Sequence, residues 1–230
     1  MKHFLFVLLA VILNCNLLFS QSGRSIRAKA GDDLAQAYSP QGFYRFPQFT
    51  STVLYFKTGA KASSLLFNYN IFSGKMQFVN PNGDTLDMVT TADIDSVVFA
   101  KNVFLFNEGF MEIVAATDSF KLLKKVILKI DVEDIGAYGR PNPTGSIQNI
   151  RTYSAGSAVY HLILNQDVVL NEHIYWFFSN GKTFLKANKT NLFKLLSPAK
   201  QAIAEAWLKQ NKMSFEKEDD LGKLLAAISA

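Results

Sequence analysis

The stretch "LLFNYNIFSGKMQF", residues 65–78, decides the fold, because its side chains fit either a hairpin or an exposed ligand platform. A two-residue loop at Ser73-Gly74 suits a hairpin, since glycine tolerates a positive φ. This loop creates three cross-strand pairs: Ile71 with Met76, Asn70 with Gln77, and Tyr69 with Phe78. Apolar residues then face apolar residues and polar residues face polar ones. The stretch therefore predicts two antiparallel strands whose aromatic side chains are mostly core.

The next turn, "NPNGD" at residues 80–84, extends the hairpin into a meander. A two-residue loop would place Phe78 opposite Asp87, whereas a three-residue loop pairs Phe78 with Met88. We therefore predict an odd-length loop with Gly83 in the left-handed region. The predicted buried face comprises Leu65, Phe67, Tyr69, Met76, Phe78 and Met88.

Short runs rich in Val, Ile, Phe and Tyr continue to about Phe184 and predict further strands. The longest run is "SFKLLKKVILKIDVE", residues 119–133, where most apolar residues and most charged residues occupy opposite parities. Its β-branched residues favour a strand over a helix. Other predicted strands cover 52–57, 95–99, 102–106, 110–117, 158–164 and 172–179. The Gly- and Pro-rich segment "GAYGRPNPTGS", residues 136–146, predicts a loop.

The C-terminal part of the chain carries helical signals. Ser197-Pro198 predicts the start of a helix with Ile203 and Trp207 on its apolar stripe. Another helix is predicted from the spacing of Leu221, Leu224, Leu225 and Ile228. Its acidic first turn suits the positive end of the helix dipole. The segment "TNLFKLL" predicts a short helix that begins at Thr190 or just after it.

These patterns predict a mainly β fold with a C-terminal helical segment packed on it, α+β overall. The β part is an antiparallel meander sheet, a sandwich or a partly open barrel. We divide the chain into a signal peptide (1–20), a flexible leader (21–41), an antiparallel β domain (42–186) and a helical C-terminal segment (187–230). The leader is assigned from its polar, small-residue composition without a hydrophobic period.

The first twenty residues have the composition of a secretory signal peptide. A basic start precedes an apolar run, 4–13, and Ser20 is a small residue before the predicted cleavage site. The single cysteine, Cys15, lies inside this segment, so a mature chain of about 210 residues has no thiol or disulfide. A lipoprotein anchored at Cys15 is disfavoured, because Asn14 is not the small residue that such sites need. We expect export to the periplasm, the outer membrane or the outside, and no transmembrane span.

No motif in the sequence predicts a catalytic residue, a cofactor or a metal ion. His161 and His173 lack the partner spacing of zinc sites, and no G-x-S-x-G elbow accompanies the serines near His161. Four aspartates cluster in sequence: Asp84, Asp87, Asp93 and Asp95. A carboxylate pair among them is the basis of an alternative function as a hydrolase. The formal net charge of +5 is spread along the chain and does not indicate nucleic-acid binding.

The candidate residues for a ligand or partner surface are Lys121, Lys125, Lys129, Tyr175, Trp176, Arg140 and Asn142. The three lysines share one parity of the predicted long strand and suit an anionic surface, although such stripes are often only solvated strand faces. The two aromatic residues suit sugar stacking, but neighbours in a strand point to opposite faces. The last two residues lie in the predicted loop 136–146.

The order of the segments resembles that of small exported proteins of unknown function common in Bacteroidota. The resemblance rests on "LFSQ", "GFYRFPQF", "LLFNYNIFSGKMQF", a "VVF" strand, the Gly/Pro loop and the tail "LFKLLSPAKQAIAEAWLKQNKMSFEKEDDLGKLL". It covers most of the mature chain and implies envelope localisation, with no catalytic residue to transfer. We predict a non-enzymatic envelope protein that binds another protein or a surface polymer. The alternatives are a carbohydrate-active or other hydrolase and a sugar-binding module.

Overall fold

A computed structural model describes residues 23–89, 93–117, 120–135, 141–146, 163–164 and 166–229. In this part of the chain twelve strands form one antiparallel sheet, which does not close into a barrel, and four helices accompany it. The strands are β1 (Ser25–Ala28), β2 (Thr50–Phe56), β3 (Lys61–Asn70), β4 (Lys75–Val79), β5 (Thr85–Asp87), β6 (Ile94–Phe99), β7 (Asn102–Phe106), β8 (Phe110–Ala116), β9 (Lys121–Ile135), β10 (Pro141–Ser146), β11 (Val168–Ser179) and β12 (Phe184–Lys186). The helices are α1 (Leu34–Tyr38), α2 (Lys189–Leu195), α3 (Pro198–Gln210) and α4 (Glu218–Ala227). The predicted mainly β fold with C-terminal helices is confirmed.

The strand order is β1-β11-β9-β8-β7-β6-β2-β3-β4-β5, with β10 paired to β9 and β12 paired to β11. Two meanders, β2–β5 and β6–β9, are joined through the pairing of β2 with β6. Short turns connect the strands inside each meander, as is usual for consecutive antiparallel strands. The long pair of β9 and β11 runs through twelve matched positions, from Lys121 opposite Ser179 to Val132 opposite Val168.

Two buried clusters lie against the sheet. The larger one is built from aromatic and aliphatic residues of both meanders, including Phe67, Tyr69 and Phe104. The second lies between the sheet and the C-terminal helices and includes Trp176 and Leu224. Strand β9 contributes to both clusters with residues of the same parity: Leu122 to the second, and Leu128 and Ile130 to the first. Because alternate strand residues share a face, both clusters lie on the same face of β9.

The predicted register of the β3–β4 hairpin is wrong by two residues. Tyr69 lies opposite Met76 instead of Phe78. The loop is longer because the Asn70 Oδ1 atom accepts hydrogen bonds from the backbone N–H groups of Phe72 and Ser73, both at 3.0 Å. A shift of two residues keeps every side chain on its predicted face.

The β4–β5 hairpin is also shifted by two residues, with Phe78 opposite Leu86. Its loop is nevertheless of odd length, because the Asn80 N–H donates to the Asp84 carbonyl at 2.9 Å and encloses three residues. Gly83 has a φ of 91°, as predicted.

The buried face predicted for β3–β5 is largely confirmed. Phe67, Tyr69 and Met76 are buried, and Phe78 and Met88 pack partly buried against them. Leu65 is the exception, with 38% of its surface exposed. The β2–β3 register shifts between Thr52 and Val53, directly beside the pair of Thr52 with Leu65, so a bulge adjoins this residue.

The segment predicted as a flexible leader is part of the fold from Gly23 onward. Strand β1 pairs antiparallel with β11, and Leu34 in α1 is fully buried. The Tyr38 hydroxyl donates a hydrogen bond to the Glu172 carboxylate at 2.5 Å. The amino-acid composition did not predict that this segment packs on the sheet, because a few buried apolar residues among polar ones are enough to hold a short segment in place.

The predicted loop 136–146 is a strand in its second half. Residues 141–146 form β10, which pairs with the end of β9 with an irregularity between Asn142 and Gly145. Pro143 lies at this irregularity, where a missing N–H is tolerated. Arg140, His161 and most of the predicted strand 158–164 lie outside the described residues.

The C-terminal helices follow their predicted positions closely. Helix α3 begins at Pro198, and α4 buries Leu221, Leu224 and Leu225 as predicted. Helix α2 begins one residue before Thr190, because the Asn188 side chain caps it. The buried contact of α3 is Ala204, which is fully buried, whereas Ile203 is 44% exposed.

Candidate ligand-binding surfaces

The register of β9 and β11 brings four of the predicted surface residues onto one face of the sheet. Tyr175 lies directly opposite Lys125. Lys121 and Lys129 share the parity of Lys125, so they occupy the same face. Lys186 of β12 lies opposite Phe177 and also faces this side. We call this surface the basic face and define it by Lys121, Lys125, Lys129, Lys186, His173 and Tyr175.

The Tyr175 ring is the centre of the basic face. The Lys186 Nζ atom lies 5.7 Å from the ring centroid, within cation–π distance. The His173 ring stacks beside it at a centroid distance of 6.4 Å. Tyr175 is half-buried, while Lys129 and Lys186 are exposed. The face therefore combines an accessible aromatic ring with cations on the surface.

Trp176 does not belong to this face. It points to the helical side of the sheet, where it is only 5% exposed. Its Nε1–H donates a hydrogen bond to the Glu216 carbonyl at 3.1 Å, and Lys124 lies 5.5 Å over its ring. Lys124 also pairs with Glu218 at 3.3 Å. Trp176 thus anchors the chain before α4, and Tyr175 is the more accessible ring of the predicted aromatic pair.

A groove of about 460 Å³ opens beside Tyr175 at the edge of β11. It is lined by His173, Ile174, Tyr175, Trp176, Lys186, Ala187, Asn188, Phe215 and Glu216. Along this edge β1 pairs with residues 168–171 and β12 with 177–179. Within the described chain, no strand pairs with the intervening residues on this edge. The groove is therefore a notch between the ends of two edge strands.

The four aspartates of the hydrolase alternative lie in or directly before β5 and β6, outside three cavities that the described residues form. Asp87 on β5 accepts hydrogen bonds from Lys75 and Gln77, both at 2.7 Å. Asp95 lies on β6, and β4, β3 and β2 separate the two strands, a distance of about 19 Å at the usual strand spacing. None of the four aspartates lines the groove at β11 or the two cavities described next.

The acidic cluster before and within α4 is a helix start, as predicted. Glu218, Asp219 and Asp220 form the first turn of α4. The Asp220 carboxylate accepts a hydrogen bond from the Ser214 N–H at 2.9 Å. These side chains line a shallow cavity of about 410 Å³ with Trp176. The described residues contain no group of three or more His, Asp or Glu side chains placed to hold a metal ion.

A further cavity of about 440 Å³ lies between the β3–β4 turn, the turn after β7 and β9. Its polar side chains include Tyr69, Ser73 and Lys125. Of these, only Lys125 was a candidate from the sequence. Tyr69 has the pattern of a core residue and Ser73 that of a turn residue, so no local signal marked them as neighbours of the lysine.

No protein-family model, curated protein or solved structure matches this chain significantly. Among the helices that the structure describes, none has the length and apolar character needed to cross a membrane.

Proposed function

We propose that this chain is a non-enzymatic, exported binding protein whose basic face binds an acidic polysaccharide of the cell surface. The observation that carries the proposal is the register that sets Tyr175 opposite Lys125, between Lys121 and Lys129 on the neighbouring strand. This register converts residues that are distant in sequence into one surface. The sequence alone had separated them into a lysine stripe and an aromatic pair.

The chemistry of the basic face suits a polymer with repeated carboxylates. Lys121, Lys125 and Lys129 follow one another at four-residue intervals, about 13 Å apart along the strand. Several weak ion pairs spaced along one direction favour an extended polyanion over a small anion, because each exposed pair alone contributes little. An aromatic ring adds apolar contact area for a sugar ring.

The basic face has a boundary that limits the direction of the polymer. The Asn171 amide donates a hydrogen bond to the Asp131 carboxylate at 2.7 Å, just beyond Lys129. A carboxylate at this position disfavours a polyanion that continues toward the end of β9. We therefore place the polymer along the line from Lys129 past Tyr175 to Lys186 and Lys121.

Export is part of the same proposal. It rests on the apolar run 4–13, the small residue Ser20 and the resemblance to exported proteins of Bacteroidota. An acidic polysaccharide is a ligand that an envelope protein meets outside the cytoplasm.

The test compares two triple variants with the same loss of charge. Replacing Lys121, Lys129 and Lys186 by Gln removes cations from the basic face but keeps Lys125. The control replaces Lys101, Lys194 and Lys212 by Gln. These lysines are exposed and lie outside the basic face. We expect binding to polygalacturonate, measured by affinity electrophoresis, to weaken about tenfold or more in the first variant, since three exposed ion pairs together contribute roughly 1.5 kcal/mol.

Equal weakening in both variants would show that only the net charge matters and would contradict the proposal. The neutral polymer dextran distinguishes the second candidate function, a sugar-binding module that uses the groove beside Tyr175. That candidate is favoured by the 460 Å³ groove and predicts dextran binding that Tyr175→Ala abolishes and that the triple variants leave unchanged.

A further inference from the structure

The 440 Å³ cavity contains a buried hydroxyl that has no hydrogen-bond partner among the described residues. The Ser73 Oγ atom is buried and unpaired. Buried polar atoms are nearly always paired, and an unpaired one calls for an explanation such as a bound ligand or water. The size of the cavity is within the range of small-molecule sites.

Two more donors line the same cavity. No described residue accepts a hydrogen bond from the Tyr69 hydroxyl, which lies beside the turn, 3.9 Å from the position of a Cβ added to Gly74. Burial raises the pKa of Tyr69 to about 12, with a smaller contribution from Glu112, so the hydroxyl keeps its proton. Tyr69 is therefore a hydrogen-bond donor at physiological pH.

Lys125 supplies the positive charge. Its Nζ atom donates one hydrogen bond to the Glu108 carbonyl at 3.2 Å and has no carboxylate partner among the described residues. An ammonium group has three donors, so two remain for a ligand. Glu108 has a φ of 51°, an uncommon conformation for a residue other than glycine. The lysine is held at the cavity wall without being neutralised.

The Glu112 carboxylate, which acts on Tyr69 from outside the cavity lining, is paired with a cation. Glu112 makes two hydrogen bonds with Arg45, both at 3.0 Å, and a third with Asn102. Its charge is compensated by the guanidinium. The other lining residues are Gly74, Gly109, the exposed Glu108 and an apolar set that comprises Ile71, Phe72, Val126, Ile127 and Leu128.

We propose that this cavity binds a small amphipathic monocarboxylate, with its carboxylate on Lys125, Tyr69 and Ser73 and its apolar body against the walls named above. The cavity shares Lys125 with the basic face, but monocarboxylate binding there does not require the polysaccharide function. Lys125 contributes to both regions, which is why the polysaccharide variants leave Lys125 in place.

The experiment titrates the full mature protein with octanoate and, separately, with octanol, by isothermal calorimetry and ligand-observed NMR. We expect octanoate to bind and octanol to bind at least about tenfold more weakly, because octanol lacks the charge-assisted bonds. Lys125→Met keeps the side-chain length and should weaken octanoate binding about tenfold or more. Lys101→Met, at an exposed lysine outside both the cavity and the basic face, is the matched control and should leave octanoate binding unchanged.

Ser73→Ala and Tyr69→Phe should each weaken octanoate binding by several-fold, with far-UV circular dichroism used to confirm folding. The proposal is overturned if octanoate does not bind to the folded wild-type protein, which would mean that water alone occupies the cavity. It is also overturned if octanol binds as tightly as octanoate, or if Lys125→Met and Lys101→Met weaken octanoate binding equally. A negative polysaccharide result combined with octanoate binding leaves this site intact.

Discussion

Asn68 shows how one buried polar side chain holds an irregular part of the sheet together. Asn68 is 1% exposed. It lies on β3, at the point where the neighbour of this strand changes from β2 to the segment that precedes β2. Its Oδ1 atom accepts from the N–H groups of Phe46 and Tyr69, and its Nδ2 donates to the carbonyls of Phe46 and Gln48. The sequence predicted only a polar strand residue, because its partners are about twenty residues away.

Replacing Asn68 by Ala should lower the free energy of unfolding by about 2–4 kcal/mol, because several buried backbone groups lose their partner. Urea unfolding, monitored by circular dichroism, measures the free energy of unfolding of the variant and of the wild type. Asn180→Ala is the control: Asn180 also accepts from two backbone N–H groups, but it is exposed and should cost less than about 1 kcal/mol. Equal losses for both variants would show that burial is not what makes Asn68 important.

Tyr69 makes stability fall at alkaline pH. The unfolded chain loses this proton near pH 10, whereas burial raises the pKa of Tyr69 in the folded protein to about 12. The contribution is therefore fully present below pH 10 and is lost as the pH rises toward 12, amounting to about 3 kcal/mol. Burial, followed by the hydrogen bond to Glu172, also raises the pKa of Tyr38, so both tyrosines act in the same direction.

Urea unfolding at pH 9 and pH 11.5 tests this prediction. The fall in stability between these two pH values should be smaller in Tyr69→Phe than in the wild type, because phenylalanine has no proton to lose. A Tyr69→Phe variant with an unchanged fall would contradict the assignment.

At the scale of elements, the face of each residue was predictable but the register was not. Alternation identified the buried sides of β3, β4 and β9, because a two-residue shift leaves the face of every side chain unchanged. Register depends on loop geometry, and the Asn70 side chain extends the β3–β4 loop through bonds that spacing does not reveal. Helix α3 was placed correctly because Pro198 marks its first position.

The candidate surface, too, could be predicted from the sequence only in part. Alternation along β9 predicted that Lys121, Lys125 and Lys129 share one face of the sheet. It also indicated that only one residue of the Tyr175–Trp176 pair is accessible. Which of the two is exposed depends on where the C-terminal helices pack. The pairing of Tyr175 with Lys125 depends on a contact between residues fifty positions apart, which no local pattern encodes.

The docking of α1 gives a prediction at the scale of elements. Leu34→Ala should lower the free energy of unfolding by about 2–5 kcal/mol, the range for a fully buried leucine, even though Leu34 lies in a polar segment. Leu86→Ala, at an edge strand and 43% exposed, should cost less than about 1.5 kcal/mol. Chemical denaturation measures both variants. A small effect for Leu34→Ala would mean that the segment before β2 does not contribute to the fold.

At the scale of the whole molecule, the long pair of β9 and β11 unites the structure. The first buried cluster contains Leu128 and Leu170, and the second contains Leu122 and Phe178, so both strands serve both clusters. Their opposite face carries the basic face. The same two strands therefore determine stability on one side and the proposed binding surface on the other.

The proposed export has a direct chemical consequence. Cleavage after Ser20 removes Cys15, the only cysteine, and leaves Gln21 as the first residue. Intact-mass spectrometry of the protein isolated from the native envelope should give the mass of residues 21–230, and thiol titration under denaturing conditions should detect no free thiol. A full-length mass with one thiol would contradict export through this segment.

The most direct test of the central claim is to map where an acidic polysaccharide touches the protein. Backbone amide NMR shifts of the ¹⁵N-labelled mature protein are measured during titration with oligogalacturonate. We predict the largest changes at Lys129, His173, Tyr175 and Lys186, and small changes in α3 and α4. Changes centred on the C-terminal helices, or none at a ligand excess that saturates weak binding, would contradict the assignment of the basic face as the binding surface.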